Sequence, residues 1–118
     1  MDSLTTARSI VKILDDKKAI NIKMLDIREL TTMADFFIVC SGNSTTQIKA
    51  IADEVNEEMS KQGIKPIGRE GFATASWVLI DYGDVIVHVF NHESRDFYSI
   101  EHLWADAKEV DISDIIED

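Results

Sequence analysis

"WVLIDYGDVIVHVF", residues 77–90, is the stretch from which the rest of the chain can be read. Two runs of strand-forming residues flank Gly83-Asp84, a pair suited to a two-residue type II′ turn with glycine first. That turn pairs Tyr82 with Val85, and the alternation of strand side chains then assigns every residue to a face. Face one holds Val78, Ile80, Tyr82, Val85, Val87 and Val89, an obvious core surface. Face two holds Trp77, Leu79, Asp81, Ile86, His88 and Phe90. The mixed face could be an active site, a docking surface or ordinary core.

Working outward, Leu4, Ala7, Ile10, Val11 and Leu14 recur at helical spacing and predict a helix over 4–18, with Ser3 as N-cap. "INIKMLDIREL" alternates as a strand, with Ile20, Ile22, Met24 and Asp26 on one side. Phe36 to Cys40 is a continuous apolar run, as in a strand covered on both faces. Ser44-Thr-Thr-Gln47 matches a capping box, and Ile48, Ile51, Ala52, Val55 and Met59 form one helical stripe ended by Gly63. "IKPIGREG", with the only proline, reads as a short edge strand. "RDFYSIEHLWADA" reads as a turn and a short helix. Strands and helices intermix, so the expected class is a single α/β domain with a mixed sheet. Only two long amphipathic helices are available to cover it. If both pack on face one, face two stays largely open, with the anatomy of a protein interface. If the first helix covers face two, Trp77 and Phe90 are core.

A chain of 118 residues, 45% apolar, fits one domain and can bury roughly two-thirds of its unfolded surface without a staple. No apolar run is long enough to span a membrane, and no secretory or organellar leader is visible. Cys40 is the only cysteine, so no intrachain disulfide can form and a reducing cytoplasm is expected. Twenty-two acids against twelve bases leave a net charge of −10. That balance opposes nucleic-acid binding and favours either plain solubility or a basic protein partner. From Glu101 onward seven acids face one base, Lys108, so 1–108 is expected to be the domain and 109–118 a mobile acidic tail.

Candidate chemistry is sparse. His88, His92 and His102 are the only histidines, and without a partner cysteine they suggest no metal site. Cys40 closes a buried strand with no base in view, so it reads as structural. "CSGNST" at 40–45 could cradle a phosphate at a helix start, yet it lacks the P-loop lysine, and a turn plus cap explains each residue. Asp81 and Asp84 could be metal carboxylates, but one projects from a strand and the other belongs to a turn.

Taken together, "ADFFIVCSGNSTTQIKAIADEV" (34–55), "WVLIDYGDVIVHVF" and "RDFYSIEHLWADA" (95–107) resemble the ribosomal silencing factor family, RsfS or Iojap, over about residues 5–108. Trp77, Asp81, Tyr82, Gly83, Asp84, His88 and Phe90 match its central motif. Arg95, Asp96, Phe97, Tyr98, Leu103 and Trp104 match its last, and Glu70-Gly71 matches a short turn before the hairpin. "ATAS" before Trp77 and "NHES" before Arg95 depart from the pattern by lacking a glycine or acid and a proline. The resemblance implies a mixed five-stranded sheet with flanking helices, distantly similar to nucleotidyltransferases but without catalytic residues or cofactor. It implies a partner, the large ribosomal subunit, bound through the L14-type ribosomal protein so that subunit joining is blocked and translation falls under nutrient limitation. Trp77 would then be the hydrophobic contact, Glu70, Asp81, Asp84 and Asp96 the acidic rim, and Tyr82 and His88 the shapers of the patch. With nothing long before the first helix, a bacterial cytoplasmic protein is expected. Two alternatives stand beside this: a nucleotidyltransferase-like enzyme using the 40–45 turn, and a homodimer that buries face two on itself.

Overall fold

In the computed structural model, which describes residues 2–116, the order is α1 (Ser3–Asp16), β1 (Ile20–Asp26), β2 (Phe36–Ser41), α2 (Thr45–Lys61), β3 (Gly68–Glu70), β4 (Trp77–Asp81), β5 (Val85–Phe90), α3 (His92–Tyr98), α4 (Ile100–Leu103) and β6 (Lys108–Glu109). The strands form one sheet in the order β3-β4-β5-β2-β1-β6. Only β2 and β5 run parallel; the other neighbours are antiparallel. No helix among the described residues is long and apolar enough to cross a membrane.

The hairpin has the register its sequence dictates. Trp77 pairs with Phe90, Leu79 with His88 and Asp81 with Ile86. Tyr82 N–H donates to the Val85 carbonyl at 2.9 Å, and Gly83 carries the positive φ, 87°, that its place in the turn requires. Asp81 Oδ1 accepts the Gly83 N–H at 2.7 Å and ties the turn to the strand.

Both long helices lie on face one. Their stripes, Ala7, Ile10, Val11 and Leu14 from α1 and Ile48, Ile51, Val55 and Met59 from α2, pack with Met24, Ile38, Cys40, Val78, Ile80, Val87 and Val89 in one core. Face two carries a second core of Leu25, Ile27, Phe37, Val39, Ile86, Phe90 and Ile100. Burial pushes the Cys40 thiol up to about 12, so it stays protonated and inert at neutral pH.

Four expectations are corrected. The sheet has six strands, because Lys108–Glu109 adds antiparallel to Leu25–Asp26. Residues 109–116 are therefore not a mobile tail: Val110, Ile115 and Ile116 pack against the face-one core, Ile112 is 7% exposed within it, and Arg8 pairs with Asp114. The last two residues of that expected tail, 117 and 118, lie outside the described residues. The N-cap of α1 is Asp2, whose Oδ1 accepts the Thr5 N–H at 2.8 Å, while Ser3 Oγ donates to Asp35 at 2.6 Å. β1 does not alternate throughout: its register shifts between Ile20 and Lys23, with Asn21 at φ 52°, which breaks the regular pairing of this strand with β2.

Docking of the C-terminal segment has a direct test. Ile112→Ala should lower unfolding stability by about 2 kcal/mol or more, the usual cost of truncating a buried isoleucine. Urea denaturation measures it, and an unchanged midpoint would mean that the segment contributes nothing to the core.

A candidate docking face on the hairpin

The strand pairings place the side chains of face two in rows. Glu70, Leu79, His88, Val39 and Lys23 form one; Asp81, Ile86, Phe37 and Leu25 the next; Trp77, Phe90 and Ser41 the third. Trp77 sits over the sheet with its ring stacked on Phe90 at 5.0 Å and packed against Tyr98 of α3 at 4.6 Å. Its indole N–H donates to His88 Nδ1 at 3.1 Å.

His88 is 3% exposed, and its ring also meets the edge of Phe37 at 4.9 Å. Burial pushes its pKa down to about 4. A neutral ring that accepts at Nδ1 carries its proton on Nε2, and that nitrogen has no hydrogen-bond partner among the described residues. His88 is thus neither an acid–base group at neutral pH nor a surface contact. It is a buried acceptor that fixes the angle of Trp77.

The loop before β4 delivers Trp77 to this position. Gly71 has φ 88°, and a Cβ there would fall 2.0 Å from the Trp77 carbonyl oxygen. The Gly71 carbonyl in turn accepts the Ala75 N–H at 2.9 Å. Only glycine allows so close an approach.

The short C-terminal helices cover face two only in part. α3 and α4 sit over the end marked by Ser41. Trp104 meets the Phe37 ring at 5.3 Å, and Ile100 enters the core. Trp77, Leu79 and Asp81 stay half-buried. Outside them stand Phe97, 81% exposed, and Leu103, 73% exposed, with Tyr98 also exposed. Face two is thus neither bare nor closed: it is a core whose outer layer is itself apolar and wet.

The residues singled out in the sequence separate into three places. Glu70, Trp77, Asp81 and His88 share face two, with Glu70 exposed directly across from Leu79. Tyr82 and Asp84 lie at the turn on the other side, beside Ser3 and Thr6 of α1; Tyr82 packs on the face-one core and its hydroxyl is buried without a partner among the described residues. Asp96 is exposed on α3, at the rim of a polar cavity by Ser41.

The family model for ribosomal silencing factor during starvation, RsfS, matches residues 1–118. The chain belongs to the RsfS family. It is 44% identical to the ribosomal silencing factor RsfS of Halalkalibacterium halodurans over 106 residues, which cover 90% of this chain and 91% of that one. With the RsfS of Bacillus subtilis it shares 44% identity over 109 residues, covering 89% and 92%. A crystal structure from Chromobacterium violaceum, 37% identical, superposes with a TM-score of 0.87 over 89% of this chain and 88% of that one.

Two features of this RsfS-family face escaped the sequence reading. Phe97 and Leu103 were matched to a motif but not seen as the exposed apolar layer; their spacing in a short, broken helical segment gives no stripe to read. Arg95 was likewise unassigned, yet it is 7% exposed and ties α3 to the sheet, its Nη1 donating to Ser41 Oγ at 2.8 Å, and to α4, its Nε donating to Glu101 at 2.7 Å. Ser41 is 54 residues away, so no local pattern could announce the contact.

Burial of neutral His88 makes stability depend on pH. The unfolded ring binds a proton near pH 6.5 and the folded ring only near 4, so the full contribution is present above about 6.5 and is lost as pH falls toward 4. The loss should be on the order of 3 kcal/mol for this group. Denaturant titrations from pH 7.5 to 4.5 should show it, and His88→Gln, which keeps an acceptor for Trp77 but does not titrate, should flatten the curve. Gly71→Ala should separately cost about 1–3 kcal/mol, since it adds both left-handed strain and a backbone clash.

Proposed function

We propose that this RsfS-family chain acts as a translational silencer: through face two it docks on the L14-type ribosomal protein of the large ribosomal subunit and blocks subunit joining when nutrients are limiting. The observation that carries this reading is the wet apolar layer of Trp77, Leu79, Phe97, Tyr98 and Leu103 beside the acids Glu70 and Asp81. Exposed aromatic and aliphatic surface with a charged edge suits a protein interface. A net charge of −10 suits a basic partner, because it speeds approach to positive surface while RNA repels the chain from wrong sites.

Trp77 is the central hydrophobic contact in this scheme, held by the acceptor at His88. Glu70 and Asp81 meet basic side chains, Asp84 extends the acidic edge around the turn, and Tyr82 supports the hairpin from the opposite face. The site is a cytoplasmic, non-catalytic one. Against a nucleotide-handling enzyme stands the use already made of the relevant polar groups. Ser44 Oγ caps α2 by accepting the Gln47 N–H, Asn43 Oδ1 meets the His92 ring, and Asp81 Oδ1 closes the turn.

Cosedimentation with isolated subunits tests the reading: the chain should pellet with large subunits and stay in solution with small ones. Phe97→Ala and Trp77→Ala address the layer separately, since Phe97 is outside the core and its loss leaves the fold intact. If either is a true interfacial contact, its truncation should cost ~2 kcal/mol or more, about thirtyfold in affinity. Added salt should weaken binding if Glu70 and Asp81 face cations. Equal binding of wild type and both folded variants would remove face two as the docking surface.

A further inference from the structure

The apolar layer of the docking face is carried by two short helices. Phe97 and Tyr98 belong to α3, seven residues, and Leu103 to α4, four residues. Helices of that length do not hold themselves in water. Nor are they continuous. Ser99 stands between them at φ 47°, a left-handed conformation unfavourable for a residue with a Cβ, and it begins α4 with no side-chain capping bond. A strained bend of that kind persists only where its surroundings determine it.

One ion pair crosses the bend. Arg95, before Ser99, donates from Nε to Glu101, after it, at 2.7 Å. The same guanidinium donates from Nη1 to Ser41 Oγ on β2 at 2.8 Å. The other carboxylate oxygen of Glu101 lies 3.6 Å from Lys23 Nζ on β1. The hydrogen bond from Arg95 is the chief cause that holds the Glu101 carboxyl below the usual carboxylate range, against the effect of burial. Arg95 and Glu101 thus join α3 and α4 to each other and to two neighbouring strands.

Stability alone does not account for this arrangement. Arg95 is 7% exposed, so its charge has lost most of its water, and Nη2 is buried with no hydrogen-bond partner among the described residues. A buried ion pair adds little stability over apolar residues of similar volume. What the guanidinium supplies, and an apolar side chain cannot, is direction: a planar fork fixes the angle between the groups it joins. We propose that Arg95 and Glu101 are positioning residues for the docking face: their ion pair, bridging the bend at Ser99, sets α3 against α4 so that Phe97, Tyr98 and Leu103 present one surface. This role rests on docking through face two and deepens that reading. It requires no contact between Arg95 and the partner.

The first test contains no ribosome. In the full, isotope-labelled chain, the Tyr98 and Trp77 rings, 4.6 Å apart, should give nuclear Overhauser contacts. Arg95→Lys keeps the charge and loses the fork; Glu101→Gln keeps the shape and loses the charge. In both, those contacts should weaken and the amides of 97–103 should gain fast motion, while the amides of α1 and α2 keep their wild-type shifts. The second test is affinity for isolated large subunits. Each variant should bind at least about tenfold more weakly. Phe97→Ala, expected to cost the wild type about thirtyfold, should cost Arg95→Lys less than about threefold, because its side chain has already lost its place. A merely stabilising ion pair would leave the Phe97 effect unchanged, and that result overturns the proposal. Wild-type affinity in both variants, or an ordered 97–103 segment in both, overturns it too; if Phe97→Ala and Trp77→Ala still weaken the wild type, docking through face two survives. Failure of the wild type to bind would remove the docking reading and this role with it. Should both variants fail to fold, Ser41→Ala, which removes one anchor of the fork and no charge, should move the same signals in the same direction, and unchanged signals there would overturn the proposal.

Discussion

Both long helices must go to the same face of the sheet, and most of the molecule follows from that. The stripes of α1 and α2 and the valine-rich face of the hairpin are all continuous and all apolar, so joining them buries the most surface in one core. Nothing long remains for the other side. It is covered by α3 and α4, seven and four residues, together with Trp104. Elements that short cannot turn an apolar face inward and a polar one outward at every position. Ile100 reaches the core, but Phe97 and Leu103 are left in water. The apolar outer layer is thus a consequence of the helix count.

What the sequence made legible follows the same physics. The hairpin could be read residue by residue, because a period of two and one glycine at positive φ leave a single register. The helix α2 could be read because its stripe is unbroken and its cap is local. The bulge at Asn21 was invisible, since the apolar residues on either side of it still look alternating. The sixth strand and the docked C-terminal segment were hidden by charge. In "KEVDISDIIED" the acids dominate any average, although Val110, Ile112 and Ile115 are spaced to reach the core. Of the candidate site, the register assigned Trp77 and Asp81 to one face of the hairpin, while Glu70 reaches that face only through the pairing of β3 with β4. His88 was put there too but buried deeper than its motif suggested, because its protection comes from Phe37 and Trp77, residues remote in the chain.

Polar atoms buried on this face are few and purposeful. His88 accepts from Trp77 at one nitrogen and leaves the other unpaired; Arg95 satisfies two nitrogens and leaves one. An unsatisfied buried donor costs about 1–3 kcal/mol, so neither would be the cheapest way to fill the space. In the first case an apolar residue would pack as well but would release the indole from its fixed angle. In the second, a shorter side chain would fail to span from α3 to β2. Each residue trades stability for position, and each positions something next to an exposed surface.

The helix α3 stands between those two surfaces. Arg95 faces the sheet and the cavity, while Tyr98, three residues on, rests against Trp77. Residues three apart lie on neighbouring parts of one helical face. α3 is only seven residues long and ends at Ser99 with φ 47°, a left-handed residue that accommodates a change of direction before α4. Its contacts with the sheet include the Arg95 hydrogen bond to Ser41 and the packing of Tyr98 on Trp77, and Arg95 also ties it to Glu101 of α4. One short helix thus helps to build both surfaces, since Arg95 lines the polar cavity and Tyr98 packs on Trp77 of the aromatic face.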